Sequence, residues 1–134
     1  MYTLTPKEFY NNFIQVLTLL MAAVHSDIRV RVLFRDAALL RLRRGSINAL
    51  EFSPAFTSDP QALRARLEKL DLLDLGKLCR DIKASGDVKY YVCGSSMAIC
   101  GLKLNELIEE IDAVRGLPAF LLEDVATADR VLTF

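Results

Sequence analysis

Val88-Lys89-Tyr90-Tyr91-Val92-Cys93-Gly94-Ser95-Ser96-Met97-Ala98-Ile99-Cys100-Gly101 decides the fold. Residues 88–92 are β-branched or aromatic apart from one lysine, and they follow the turn signal Ala84-Ser85-Gly86-Asp87, so they predict a strand. Cys93 closes it, and Gly94, Ser95 and Ser96 are too small to extend it before a helix begins. In parallel α/β sheets, chemistry gathers just beyond the carboxyl ends of strands. Cys93 therefore stands where a reactive thiol would be, and the N–H groups and positive end of the next helix favour its thiolate. The opposing reading is a buried structural cysteine acting as a small hydrophobe.

Upstream, Leu72, Leu75, Leu78, Cys79 and Ile82 share one face of a helix predicted over 72–83, which puts Cys79 in the core. Pro60, after Ser58-Asp59, starts a helix running to Lys69. Residues 45–59 form the longest irregular stretch, studded with Ile47, Leu50, Phe52 and Phe56, as expected of a docked loop or a partner contact. Residues 28–34 alternate Ile, Val, Val and Phe with Arg29 and Arg31, which reads as an outer strand with one solvated face. Asp36 is positioned to cap a short helix over 37–44, ended by Gly45. Arg35, Arg41, Arg43 and Arg44 form the one basic cluster, expected as a solvated helix face rather than an anion site. The first helix is expected from Thr5 as N-cap, with Pro6 and a capping box to Glu8, and its apolar face runs from Phe9 to Val24. His25, the only histidine, falls at its end.

Downstream, a helix is expected from Asn105 to about Ala113, then a strand over 117–122, a short helix over 123–128 and a last strand over 130–134. Strands alternating with helices indicate a parallel sheet covered on both sides.

At 134 residues the chain is expected to be one domain, 1–134. Seventeen basic and 17 acidic residues cancel, which argues against nucleic acid or an anionic membrane as partner. The hydrophobic fraction is 52% and mean hydropathy is +0.26, so a subunit interface is expected in addition to a buried sheet. The apolar run 13–24 is interrupted by Gln15 and Thr18 and is too short to span a bilayer. No secretory signal is read at the start, and three cysteines then point to a reducing cytoplasm. No glycine-rich phosphate fingerprint occurs, and three scattered cysteines with one histidine do not make a zinc site; neither a metal nor a cofactor is expected. On one continuous helix Cys93 and Cys100 would be about 10 Å apart, beyond disulfide reach, whereas a turn at Cys93 would shorten the gap.

The cysteine-ended strand, with Ser96 three and Gly101 eight residues on, the run Lys103-Leu104-Asn105-Glu106-Leu107-Ile108, Leu117-Pro118-Ala119-Phe120-Leu121-Leu122 and the terminal Ala128-Asp129-Arg130-Val131-Leu132-Thr133-Phe134 together resemble the DsrE/DsrF-like proteins of sulfur metabolism. The resemblance is clearest from residue 69 onward and extends more weakly over 5–44. It implies a three-layer α/β/α domain with a mostly parallel sheet of about five strands in a flavodoxin-like topology. It also implies a cytoplasmic homo- or hetero-oligomer, often trimeric or hexameric. In active relatives the cysteine matching Cys93 carries sulfane sulfur as a persulfide and passes it to a partner thiol. Gly94, Ser95 and Ser96 would then admit a sulfur donor or acceptor protein, or a small sulfane-sulfur compound. Cys100 would be a second sulfur site, a resolving thiol or core packing. The family begins with an apolar strand, and here only Met1-Tyr2-Thr3-Leu4 precede Thr5, so that strand is expected to be very short or missing. A non-catalytic binding module with inert cysteines is the alternative function. A Cys93–Cys100 redox pair is a third.

Overall fold

The computed structural model describes residues 2–5, 9–56 and 59–134. It is an α/β fold whose parallel sheet is built on three principal strands: β1 (Tyr2–Thr5), β2 (Val30–Phe34) and β3 (Val88–Cys93). Three-residue strands β4 (Ala113–Arg115) and β5 (Val131–Thr133) flank them, and the order across the sheet is β4-β3-β2-β1-β5. A flavodoxin-like sheet runs 2-1-3-4-5. Here the chain winds outward from β1 to β4 and crosses once, to β5.

The opening strand is present and lies inside the sheet, pairing Leu4 with Leu33 on one side and with Thr133 on the other. Thr5 is its last residue rather than a helix cap. Helix α1 starts at Tyr10 and ends at His25, and no side chain caps its start; Pro6 and Glu8 of the expected capping box lie outside the described residues.

The two arginines around 28–34 do not mark an outer strand. β2 is interior, paired with β1 and β3. Arg31 lies on the face opposite Val30 and Val32 and reaches the amino edge of the sheet, where it pairs with Asp87 at 2.8 Å. Arg29 precedes the strand.

Alternation along β2 and β3 separates two faces. Val30, Val32 and Phe34, with Val88, Tyr90 and Val92, enter the main core with the buried faces of α1, α2 (Ala38–Arg41), α3 (Pro60–Lys69) and α4 (Leu75–Ser85). Cys79 is in that core, as expected; burial pushes its thiol up to about 12, so it stays neutral. Residues 45–56 of the expected loop are docked there: Ile47 is buried, and Phe52 meets Tyr10 edge-on at 5.5 Å; residues 57 and 58 lie outside the described residues.

Four other expectations fail. Asp36 does not cap α2; it takes a left-handed conformation (φ 51°), and α2 is only four residues long. Arg41 is not on a solvated face: it is buried, donates to the carbonyls of Ser46 (3.4 Å), Ile47 (3.1 Å) and Ala49 (2.7 Å), and covers the rings of Tyr10 and Phe13. The expected helix over 105–113 is one 3-10 turn, Leu104–Glu106, followed by an antiparallel bridge from Leu107 to Arg43 and a turn at 109–110. Leu107 and Ile108 are drawn instead against the end of α2, where the Ile108 N–H meets Leu42 and Arg44 donates to Leu107. The expected strand over 117–122 is helical, because Pro118 fits a first helical turn and has no N–H for a ladder.

Helix α4 starts at Leu75, three residues later than expected, because Asp74 caps it by accepting the Lys77 N–H at 2.8 Å. That bond comes first among the influences holding the Asp74 carboxyl below its ordinary value, followed by the Asn48 side chain. Asp74→Ala is expected to cost about 1 kcal/mol at neutral pH. A depressed carboxylate contributes stability above its unfolded pKa and loses that contribution as pH falls through its folded pKa. Urea unfolding of both proteins should therefore show a gap that closes in acid.

Candidate functional site

Cys93 ends β3 in extended conformation (φ −73°, ψ 123°), and α5 (Gly94–Cys100) begins with the next residue. Its side chain leaves the sheet on the face away from the main core. It is fully covered there, in a small apolar cluster with Leu33, Tyr91 and Phe120. Ala113, Leu117 and Val125 pack around this cluster. The cover is thin, since the Ser95 hydroxyl lies 3.2 Å from the sulfur and Ser95 itself is exposed.

Two opposing influences act on the thiol. Burial raises its pKa, while hydrogen bonds from Ser95 and Ser96, through side chains and backbone N–H groups, lower it; the net result is below the ordinary thiol value. Ser96 has a single hydroxyl proton, and its Oγ donates to the Asp36 carboxylate at 3.1 Å. The Ser95 hydroxyl and the two N–H groups of the first helical turn therefore carry the stabilisation of the sulfur. Local sequence explains this arrangement: small residues after Cys93 let the chain turn into α5 directly beneath the sulfur.

The site extends along the carboxyl edge of the sheet. Cys93 is in register with Arg115 on β4. Arg115 lies over the Tyr91 ring at 4.8 Å, pairs with Glu123 and stands 3.5 Å from Asp124. On the other side Phe34 pairs with Val92, so Arg35 is one register step further on, level with Cys93. The Arg35 Nε is out of solvent and has no hydrogen-bond partner.

The residues singled out from sequence divide into two groups. Cys93, Ser95 and Ser96 come together around the sulfur. Gly94 faces β4 instead, where an added Cβ would meet Val114 at 3.3 Å. Cys100, partly buried at the far end of α5, points its Sγ at the Asp36 carbonyl 3.7 Å away, and all three cysteines are free thiols. His25 is exposed at the end of α1, which leads into the amino edge of the sheet, away from Cys93. Among the described residues no group of three or more His, Cys, Asp or Glu is placed to hold a metal ion, and no helix is long and apolar enough to cross a membrane.

Sequence reading missed Asp36, Arg115 and Phe120 as parts of this site. Position was the available signal for Asp36, which follows an apolar strand at the chemically active edge of a parallel sheet. Arg115 offered none, and the signal for Phe120 was Pro118, whose place in a first helical turn argues against a strand over 117–122.

The matching family model, that of the DsrE/DsrF-like family, covers residues 14–134. No curated protein matches the sequence. Among solved structures, a protein of unknown function, MTH1491 from Methanobacterium thermoautotrophicum, is similar with a TM-score of 0.69. The match covers 99% of this chain and 96% of that one at 10% identity, a likeness of fold. On the family match, this chain belongs to the DsrE/DsrF-like family.

Proposed function

We propose that this protein carries sulfane sulfur on Cys93 as a persulfide and passes it to a partner thiol. The observation that carries the reading is the ring of donors from Ser95 and Ser96 around a thiol at the carboxyl edge of a parallel sheet, in a chain of the DsrE/DsrF-like family. With thiosulfate as donor, the Cys93 thiolate attacks the outer sulfur. The new S–S bond forms as the old one breaks, and sulfite leaves with the bonding pair. In the second step an acceptor thiolate attacks the terminal sulfur and Cys93 departs as the thiolate, with no net oxidation. Arg35, one register step past Phe34 and so level with Cys93, suits an anionic donor. Cys100 is a packing residue in this reading.

Exposed Ile99, 83% accessible and outside segment 117–127, supports an assembly of several copies, and the family implies a trimer or hexamer. The neutral charge balance and free thiols support a cytoplasmic setting without nucleic acid.

One observation favours the inert binding module: Cys93 has no exposed surface. Reactivity separates the two. The pH dependence of Cys93 alkylation, followed by peptide mass, is expected to have its midpoint below that of an ordinary thiol, and Ser95→Ala is expected to raise it. An inert cysteine would titrate at or above the ordinary value, with no response to Ser95→Ala.

A further inference from the structure

A sulfur atom with no exposed surface meets no donor, so transfer at Cys93 requires part of its cover to move. Leu33 and Tyr91 belong to β2 and β3, each paired on both sides. Helix α5 is tied to the loop after β2, through Ser96 to the Asp36 carboxylate and through Cys100 to the Asp36 carbonyl. The remaining cover is segment 117–127, which contributes Phe120, Leu117 and Val125.

That segment differs from the other helices among the described residues. It winds as α over Leu117–Ala119, as π over Phe120–Asp124 and as 3-10 over Val125–Thr127. Single π turns of this kind are frequent at functional sites. Its backbone packs chiefly within itself. It is bounded by extended residues, Gly116 (φ −74°, ψ 145°) and Ala128 (φ −84°, ψ 138°). Among the described residues it is held to the sheet by apolar contacts of Leu117, Phe120 and Val125, with the Phe120 ring edge-on to Tyr91 at 6.3 Å, and by Arg115, which reaches Glu123 and Asp124. The second attachment is incomplete, because the buried Asp124 Oδ2 has no hydrogen bond although Arg115 is 3.5 Å away. That oxygen gives up no hydrogen bond when the segment lifts into water.

We propose that segment 117–127 is a lid over Cys93, plugged by Phe120 and latched by Arg115, and that Cys93 exchanges sulfur from the lid-open state. The proposal rests on Cys93 being the reacting thiol, but the lid itself is measurable without any sulfur donor. The experiment follows iodoacetamide alkylation of Cys93, resolved by peptide mass, together with backbone hydrogen exchange, in wild type, Glu123→Gln and Phe120→Ala. In the wild type, Cys93 is expected to react at least about tenfold more slowly than in the urea-unfolded chain, and the amides of 117–127 to exchange faster than those of β3. Glu123→Gln, at an exposed position, is expected to speed alkylation about two- to fivefold, in keeping with a single exposed ion pair. Phe120→Ala is expected to speed it at least about tenfold, because removing one buried ring destabilises the closed state.

Alkylation in wild type as fast as in the unfolded chain would overturn the lid. So would 117–127 amides as protected as those of β3, with Glu123→Gln without effect; these two readings decide the matter even if Phe120→Ala fails to fold. Faster alkylation in the variants without sulfur uptake from any donor would leave the lid standing and remove the carrier function. Sulfur uptake with alkylation unchanged in the variants would do the reverse.

Discussion

Cys93→Ser is expected to abolish sulfur transfer to an acceptor thiol while leaving the fold intact. The exchange needs an atom that ionises near neutral pH, attacks a sulfane sulfur and then leaves again. A serine hydroxyl does none of these, because its proton is held far too tightly and a sulfur–oxygen bond does not exchange with thiols as a disulfide does. Structurally the change is mild. Serine keeps the Cβ and a small polar atom within reach of the Ser95 hydroxyl, and the cluster with Leu33, Tyr91 and Phe120 keeps its apolar members. Transfer should therefore fall to background while the thermal unfolding midpoint moves little. Cys100→Ser should retain transfer, because the Cys100 sulfur faces the Asp36 carbonyl and contributes nothing at Cys93. Loss of transfer in both variants at unchanged stability would instead assign a paired role to the two thiols.

The largest stability effect is expected at Arg41. Its guanidinium is buried between the loop carbonyls of Ser46, Ile47 and Ala49 and the rings of Tyr10 and Phe13. Arg41→Ala takes its donor from the buried Ile47 carbonyl and opens space beside two core aromatics, while the Ser46 and Ala49 carbonyls keep the N–H groups of Ala49 and Glu51. One unsatisfied buried acceptor costs roughly 1–3 kcal/mol, and with the packing lost against two rings a total of about 3 kcal/mol is expected. Arg41→Lys should recover only part, because an ammonium cannot present a planar fork to several carbonyls while stacking on the rings. Chemical denaturation of the three proteins measures this directly. A loss below about 1 kcal/mol for Arg41→Ala, the range of an exposed charge, would contradict the buried role.

The position of Arg41 also shows where sequence reading stopped. In a run with Arg43 and Arg44, composition assigns all three to solvent, and nothing local reveals that one of them points into the core beneath the 45–59 loop. The strand-to-helix junction at Cys93 was legible because its information is local: β-branched and aromatic residues, then a cysteine, then three residues too small to continue. Cys79 was legible from helical spacing alone. Residues 105–113 were not, because Leu107 and Ile108 satisfy a helical period as well as a docked strap, and only contact with Leu42 and Arg44 decides between them. Pro118 did carry a usable signal, since proline belongs in a first helical turn and not in a ladder. Reading it correctly would have shown the helical cover over Cys93. The Asp36–Ser96 bond joins residues 60 positions apart and has no signature in either stretch.

The most direct measurement is the intact mass of the wild-type protein after incubation with thiosulfate or polysulfide, followed by peptide mapping of the three cysteines. The expected result is the gain of one sulfur atom, located on the peptide carrying Cys93 and removed by a reducing thiol. A sulfur on Cys100 with Cys93 unmodified, or no sulfur on any cysteine with either donor, would contradict the assignment of Cys93 as the carrier.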